Sequence, residues 1–578
     1  VSTTHQTDTL LQQVATKIPD NLSALIDHYI ARLNDSQRKL LTAAAVAGME
    51  LQPEILACVL GLETDNLLEQ CDDLVRARTW LVLAKQADAS DDPVYAYEFR
   101  HALYRQRLYD ITSTASRAEL HLKIAQALEL HRNKGYEVTA AELASHFDLG
   151  RSALKALHYY AEAAETALLH LSPAECLSLT EKALKLSDRL PQSPDRLNVD
   201  MTLFTLRGAA AFHSYGAGDD AKSAYRQAAK LVPSNPDHPK AALAMHGLGF
   251  LLYLRAEYQE ALELAETALS YGTTNSLLVI AASTIKGQVM MIQGKHRQAL
   301  SALLQALPAL ELADASTSQT TAGYIVDPKV TVLGMLSLVL SQLGRFSEAT
   351  TYMQQAYTRS QAIAQPMALM VTLWCDALCG IRRADTARVG ALANEMQVLV
   401  NEYSLAQGKA ACHWFLGWTD ARCGKPDEGF KRIREAYEKN RSLGMVSGGS
   451  ETLGYAAEAL VIKGDWRAAQ LQLEQALEIV HCYGEYIYLP QLQLIQAAIA
   501  HLAGDIPAET ESLHNAILTA RQQEAAWLEL LALTAWCERG QPDTADIAAL
   551  EQLITTLQGA GDINILEQAR KILRFAQG

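Results

Sequence analysis

The 578-residue chain has no run of 18 apolar residues and no charged-then-apolar segment at its start. We therefore expect neither a membrane span nor a signal peptide. Positive charge is also scarce, because 50 Lys and Arg stand against 65 Asp and Glu, giving a formal net charge of −15. Nucleic-acid binding needs Lys and Arg to neutralise phosphates, so the composition argues against direct nucleic-acid contact.

Motifs that carry catalysis or metal binding are missing as well. The sequence has no G-x-x-x-x-G-K-[ST] loop, no H-E-x-x-H and no G-x-S-x-G. The nine cysteines are scattered, and no second pair or paired histidines complete a zinc set around Cys375 and Cys379. We expect reduced, buried thiols in a cytoplasmic protein. We also expect no metal, no cofactor and no enzymatic activity in this chain.

What the sequence does contain is a long repeat. Eight Gly or Ala pivots recur at intervals of 40, 38, 50, 40, 40, 40 and 40 residues. Small residues recur seven positions before the pivots and five and twelve positions after them, where two helices can cross closely. This period indicates a helix-turn-helix solenoid whose units stack to bury their apolar faces. The pivots are Gly216, Ala256, Gly294, Gly344, Ala384, Gly424, Gly464 and Gly504.

The repeat resembles the tetratricopeptide repeat, lengthened by about six residues. We predict an all-α fold, with a right-handed tetratricopeptide-like superhelix over residues 198–578. Prolines at Pro191 and Pro194 mark the break before it. The one 50-residue interval contains a polar insertion, Ala313–Asp327, which we expect to be a loop.

The N-terminal part has a different pattern. Four short helical segments are followed by two strand-like runs, which predicts a small winged helix-turn-helix domain over residues 21–112. A transitional helical region should occupy 113–197, and the polar residues 1–20 should be a linker from a missing upstream region. Asp35 or Ser36 is the expected cap of the second helix. The predicted elements are Asn21–Leu33, Asp35–Gly48, Pro53–Leu60, Thr64–Arg76, Leu81–Ala84 and Val94–Phe99.

The candidate recognition helix of this domain is acidic. The segment Asn66–Leu74 carries three acids and no base before Arg76. A helix that enters the major groove presents Arg, Lys, Asn or Gln to bases and positive charge to phosphates. We therefore expect an intramolecular switch element here and no DNA contact.

Two adjacent segments resemble a known family. Tyr97–Tyr109 (YEFRHALYRQRLY) and Arg117–Ala125 (RAELHLKIA) are similar to bacterial signal-transduction ATPases with numerous domains, the STAND class. Phe415–Gly424 and Gly484–Pro490 resemble the C-terminal repeats of that family. The resemblance implies an effector, a P-loop NTPase, a winged helix and a tetratricopeptide-like sensor, in that order. Because this chain lacks the P-loop, the NTPase with its ATP or ADP, and the effector, are expected upstream.

The resemblance implies that this chain is the sensor and regulatory segment of a transcriptional regulator. A protein, peptide or small-molecule inducer would bind the concave face of the repeats. The alternative is a free-standing repeat scaffold that bridges proteins and uses no nucleotide.

His101 is the residue that the resemblance singles out in the first domain. It resembles the winged-helix histidine that touches the ADP β-phosphate in resting members of the family, and an imidazole N–H can donate to a phosphate oxygen. Many members have Asp at the next position, where this chain has Ala102. The alternative is a histidine that merely packs at the start of a helix.

Aromatic and basic residues mark a candidate groove in the repeats. Trp374, Trp414 and Trp418 lie on first helices of neighbouring repeats, and Trp414 and Trp418 share one helix face. With Arg382 nearby in repeat position, they are the candidate contacts for a ligand or partner. The alternative is that the tryptophans only fill space between helices.

Overall fold

A computed structural model describes residues 20–84, 96–272, 275–316, 326–403, 405–540, 542–557 and 564–577. These residues form two compact units. The first unit contains the described residues up to Thr166, together with Glu181–Arg196. The second contains Ala167–Thr180 and the described residues from Leu197 onward.

The first unit combines short helices with a small sheet. Its four predicted N-terminal helices are present within one or two residues of the expected bounds. Helices α8 and α9, and the helix that begins at Pro194, each have residues in both units. The elements are α1 Asp20–Ala31, α2 Asp35–Ala47, β1 Glu50–Leu51, α3 Pro53–Leu60, α4 Thr64–Arg76, β2 Leu81–Ala84, β3 Ala96–Phe99, α5 Ala102–Ile111, α6 Thr114–Asn133, α7 Ala140–Leu149, α8 Ala153–Leu169 and α9 Pro173–Ser187.

The sheet is antiparallel, in the order β1-β3-β2. Strand β1 has only two residues, too few for an alternating pattern, and sequence reasoning missed it. The polar segment Lys85–Pro93, which the sequence predicts to be a turn between the two strand-like runs, lies outside the described part of the chain. The cap of α2 is Asn34, so the prediction of Asp35 or Ser36 was wrong. Its side chain accepts from the Gln37 backbone N–H at 2.8 Å, and Gln37 accepts from the Asn34 N–H.

The second unit is built from consecutive antiparallel helix pairs. The pairs begin at α10, and a single-turn 3-10 helix precedes α12 and another precedes α24. The helices are α10 Pro194–Tyr215, α11 Asp219–Leu231, α12 Ala241–Leu254, α13 Tyr258–Ser270, α14 Ser276–Ile292, α15 His296–Ser316, α16 Pro328–Gln342, α17 Phe346–Ile363, α18 Pro366–Arg382, α19 Thr386–Tyr403, α20 Ala406–Arg422, α21 Pro426–Ser442, α22 Gly449–Lys463, α23 Trp466–Tyr483, α24 Leu489–Ala503, α25 Ile506–Gln522, α26 Ala526–Arg539, α27 Thr544–Thr556 and α28 Asn564–Gln577.

All eight predicted pivots lie between the two helices of a pair, and all eight have a left-handed backbone. Their φ angles run from 55° at Ala384 to 86° at Gly464. A helix that must reverse within two or three residues commonly ends in this conformation, which Gly adopts without strain. The prediction of a helix-turn-helix array is therefore confirmed for the helix pairs that these pivots divide.

Small residues allow the pairs to cross closely. The ring of Tyr225, on α11, is fully buried between Gly208 of α10 and Gly247 of α12. A Cβ added at Gly208 would lie 2.6 Å from the ring, and one added at Gly247 would lie 2.2 Å from it. At these two positions only hydrogen leaves room for the neighbouring aromatic side chain.

The two helices of a pair differ in burial. Every residue of α16 from Val330 to Gln342 is buried, whereas α17 has one buried stripe with a helical spacing of three and four residues. First helices therefore lie inside the unit and second helices form its outer layer. The stripe of α17 consists of Phe346, Ala349, Met353, Ala356 and Ser360.

Repeats that are far apart in sequence also meet within the second unit. The backbone N–H groups of Val446 and Ser447 donate to the Leu254 carbonyl at 2.7 and 2.9 Å. The rings of Phe346 and Trp527 make an edge-to-face contact with their centroids 5.7 Å apart. The array thus closes on itself, and the inner faces of its later repeats are enclosed.

The first four residues of the predicted insertion Ala313–Asp327 belong to a helix. Helix α15 continues to Ser316, and residues 317–325 lie outside the described part of the chain. Asp327 caps α16 by accepting from the Val330 N–H at 3.0 Å, and it also pairs with Arg359 at 2.9 Å. The C-terminal end of the insertion is therefore a fixed helix start.

Candidate functional site

A cavity of about 360 Å³ lies among the first helices of the later repeats. Helices α16, α18, α20, α22, α24 and α26 contribute to its walls, because stacking places their inner faces side by side. This is the range of volumes in which proteins bind small molecules, roughly 300–1,000 Å³.

Three polar residues occupy the same repeat position in the cavity wall. Gln342, Arg382 and Arg422 each stand two residues before a pivot, at the carbonyl end of a first helix. A cation is favoured at this end of a helix by the macrodipole. Repeat register was the signal that would have identified Gln342, which sequence reasoning missed.

Arg382 is the most unusual of the three. Its side chain is about nine-tenths buried, and its Nη1 has no hydrogen-bond partner among the described residues. The next residue, Arg383, also has one buried atom without a partner, Nε, but its Nη2 donates to Thr350 at 3.1 Å and its guanidinium lies over the Phe346 ring. Arg382 therefore brings an uncommitted donor to the cavity.

Trp418 and Arg422 form a second feature of the wall. The Arg422 guanidinium lies 4.7 Å from the Trp418 ring centroid and pairs with Glu458 at 2.6 Å. The Trp418 Nε1 is a buried hydrogen-bond donor without a partner in the described chain. The Gln342 Oε1 is a buried acceptor that also has no partner there. Buried polar groups are normally hydrogen-bonded, so these atoms mark the cavity as a candidate binding site.

A carboxylate and two phenols lie on the next repeats. Glu451 accepts from the Tyr455 hydroxyl at 3.5 Å, and the rings of Tyr455 and Tyr488 meet at 5.0 Å. Burial raises the pKa of the Glu451 carboxyl, and the positive charge of Arg382 opposes this rise. These residues come from helices far apart in sequence, so only the folded array places them beside Arg382.

Helices α24 and α26 add apolar side chains to the cavity lining. Leu494, Trp527, Leu528 and Leu531 are among them. The same helices also contribute polar lining residues, including the exposed Glu538. The cavity lining therefore combines charged, polar and apolar side chains.

The four predicted groove residues divide between cavity and core. Arg382 and Trp418 line the cavity. Trp414 is buried and stacks on Phe415, with ring centroids 4.8 Å apart. Trp374 is half-buried, packs against the core of the array and is not part of this cavity wall. Their role in binding stays a prediction.

His101 lies on the surface of the first unit. It occupies the N-cap position of α5, its side chain makes no capping hydrogen bond, and its ring meets Tyr104 edge to face at 5.3 Å. An exposed imidazole at a helix start is accessible to a phosphate from another domain. Its role as a nucleotide sensor stays a prediction.

Cysteines and acids do not form a metal site in the described residues. No group of three or more His, Cys, Asp and Glu side chains is placed to hold an ion there. Cys375 and Cys379 are buried free thiols, and burial raises the pKa of Cys375. In the same part of the chain, no helix is both long and apolar enough to span a bilayer.

The paired helices, their left-handed pivots and their close crossings define a tetratricopeptide-type α-solenoid. No protein-family model matches the chain. An uncharacterized protein of Rhizobium meliloti (strain 1021) is 22% identical over 529 residues, which are 90% of this chain and 51% of that protein. The chain thus spans about half the length of this curated relative.

Solved structures of helical-repeat proteins are similar at low identity. The STAND protein PH0952 of Pyrococcus horikoshii, which has a tetratricopeptide-repeat sensor, is 11% identical over 88% of this chain and 66% of its own, with a TM-score of 0.40. A Rap protein complexed with competence and sporulation factor is 11% identical over 73% and 99%, with a TM-score of 0.38. The APC/C Cut9–Hcn1 assembly is 13% identical over 82% and 90%, with a TM-score of 0.41. At these scores the fold assignment rests on the helix pairs and pivots of this chain itself.

Proposed function

We propose that this chain is the sensor and regulatory segment of a STAND-type signalling ATPase, with a role in transcriptional regulation. The observation that carries the proposal is the enclosed cavity of the array, where Arg382, Trp418 and Gln342 present polar groups without partners. A ligand that satisfies these groups would bind the array. The NTPase that responds to it would lie on another part of the polypeptide.

The first unit supports a switching role. Its order of α2, β1, α3, α4, β2 and β3, with an antiparallel sheet, is the order that a winged helix requires. Helix α4, at the place of a recognition helix, buries Leu67, Cys71 and Leu74 and carries acids outward. One of these, Asp72, accepts from the Tyr97 hydroxyl at 2.9 Å. Such a surface suits contact with a protein domain better than contact with DNA.

His101 would report on the nucleotide in this scheme. It lies exposed at the start of α5, where an N–H donor can reach a β-phosphate oxygen of ADP held by the NTPase. That contact would favour the closed, ADP-bound state. A ligand in the array would open this state only to the extent that it binds the open state more tightly.

The test is ADP retention by the polypeptide that carries both the NTPase and this chain. His101→Ala should speed the loss of bound ADP and raise basal output. The matched control is His158→Ala, which removes an exposed histidine on α8. Equal retention by wild type and His101→Ala would remove His101 from the switch.

The isolated chain should neither hydrolyse ATP or GTP nor bind them tightly, because it has no P-loop. Micromolar nucleotide affinity by calorimetry would contradict this. A free-standing scaffold, the alternative function, predicts that neither nucleotide nor His101 affects partner binding.

A further inference from the structure

The cavity of the array combines apolar side chains with a buried guanidinium, that of Arg382, whose Nη1 has no hydrogen-bond partner among the described residues. This combination restricts the chemical class of ligand that the cavity can bind. We propose that it binds a small organic acid, with a single carboxylate at Arg382 and a short apolar body against Leu494, Leu528 and Leu531. The inference rests on the proposed function, since it names a ligand class for the array.

The donors define the acidic group. Arg382 and Trp418 both line the cavity, and the Nη1 of the first and the Nε1 of the second are buried without an acceptor among the described residues. An unmet buried donor destabilises the empty site, and a ligand oxygen removes that penalty. The edge of a guanidinium matches the two oxygens of a carboxylate, and an indole N–H adds a third bond to the same group.

The surrounding charges favour a monoanion. The Arg422 cation is already committed to Glu458 at 2.6 Å. Glu451 lies close enough to Arg382 for the two charges to interact, so a dianion would meet a carboxylate at this wall. His296, which also feels the charge of Arg382, is buried, and its pKa is lowered to about 3, so it adds no positive charge at neutral pH. Arg382 is therefore a buried cation of this wall that forms no ion pair among the described residues, and the nearby Glu451 carboxyl disfavours a dianion such as inorganic phosphate.

The apolar residues of the lining and the volume of the cavity restrict the size and polarity of the rest of the ligand. Leucines and Trp527 offer an apolar surface, and about 360 Å³ is near the lower end of small-molecule pockets, roughly 300–1,000 Å³. An acid with a short alkyl chain or one aromatic ring fits these limits. An amine of the same shape would place a second cation beside Arg382, and an alcohol would offer the guanidinium a hydrogen-bond acceptor but no negative charge.

The experiment is calorimetric titration of the full chain with hexanoate and with phenylacetate. Hexylamine, 2-phenylethanol and inorganic phosphate serve as matched probes. We expect the acids to bind and the amine and phosphate to show no binding. Arg382→Met should weaken acid binding by at least about tenfold, since it removes a charge-assisted hydrogen bond. Arg467→Met removes an exposed arginine on α23 and should leave acid affinity unchanged.

Thermal unfolding of each variant checks that the array is intact. If Arg382→Met does not fold, Arg382→Lys tests the proposal in its place. Lysine keeps the positive charge but lacks the planar guanidinium, so this variant should bind the acids several-fold more weakly than wild type. Three results would each overturn the inference. They are equal affinity for phenylacetate and 2-phenylethanol, acid affinity that is unchanged by the Arg382 substitutions, and no acid binding at millimolar concentration. If a neutral molecule binds this cavity instead, the sensor proposal stands and only the ligand class is wrong.

Discussion

The hydroxyl of Tyr258 donates a hydrogen bond to Oε1 of Glu485, 227 residues later in the chain, at 3.1 Å. Glu485 is completely buried and also accepts from the N–H groups of Gly448 and Ser450 and from the Ser450 hydroxyl, at 3.0, 3.2 and 2.7 Å. One carboxylate thus joins an early repeat to two later ones. This joint helps to close the array around its cavity.

Removing the phenol should therefore loosen the closed array. Tyr258→Phe removes one of the two donors to Oε1 of the buried Glu485 carboxylate. We expect a loss of about 1–3 kcal/mol in the free energy of unfolding. Urea denaturation measures it. Tyr215→Phe is the control, because the Tyr215 side chain is 61% exposed. If both variants unfold at the same urea concentration as wild type, the joint contributes nothing to stability. In a cycle with Glu485→Gln, the two changes should be less than additive.

The close crossing of helices at Gly247 leads to a second prediction. Gly247→Ala gains helix propensity, but its Cβ would lie 2.2 Å from the buried ring of Tyr225. Overpacking of this kind typically costs about 1–3 kcal/mol, so the variant should melt at a lower temperature. Gly218→Ala is the matched control, because nothing lies within 4 Å of its added Cβ. A Gly247→Ala protein as stable as the control would show that this crossing tolerates a methyl group.

The first unit should lose stability in acid. His121 and His146 are buried with their Nδ1 atoms 3.0 Å apart, a contact that two imidazolium groups cannot make. Burial lowers the pKa of both to about 4, from 6.5. Since the folded pKa values lie below the unfolded one, their stabilising contribution is complete above pH 6.5 and is lost as pH falls toward 4. The loss should be on the order of 3 kcal/mol for each histidine.

Hydrogen exchange of the α6 and α7 backbone between pH 7 and pH 4 would measure this local loss, after correction for the intrinsic pH dependence of exchange. A His121→Leu/His146→Leu double variant should show a weaker dependence of protection on pH. His158→Ala, which changes an exposed histidine, should keep the wild-type dependence. The same pH dependence in the double variant and in wild type would assign the effect to other groups.

Local features were predictable from sequence, whereas features created by stacking were not. The pivots could be predicted because a reversing helix favours Gly or Ala at one position, and Ala256 and Ala384 hold the same left-handed turn as the glycines. The position of Arg382 in the cavity wall could be predicted from its position relative to the pivot of its repeat. The proximity of Glu451 to Arg382 depends on packing between repeats, so the sequence could not predict it. The sequence also could not tell that Trp418 lines the cavity and Trp414 does not, because both lie on one helix face. Strand β1 was missed because two residues carry no period.

The most direct test of the account is hydrogen exchange over the full chain, with and without saturating phenylacetate. A small molecule that enters the array should slow exchange in α18, α20, α22, α24 and α26, whose inner faces line the cavity. This protection should disappear in Arg382→Met and persist in Arg467→Met. Protection confined to residues 20–112, or no protection at all at a concentration where calorimetry shows binding, would contradict the claim that the array is the sensing site.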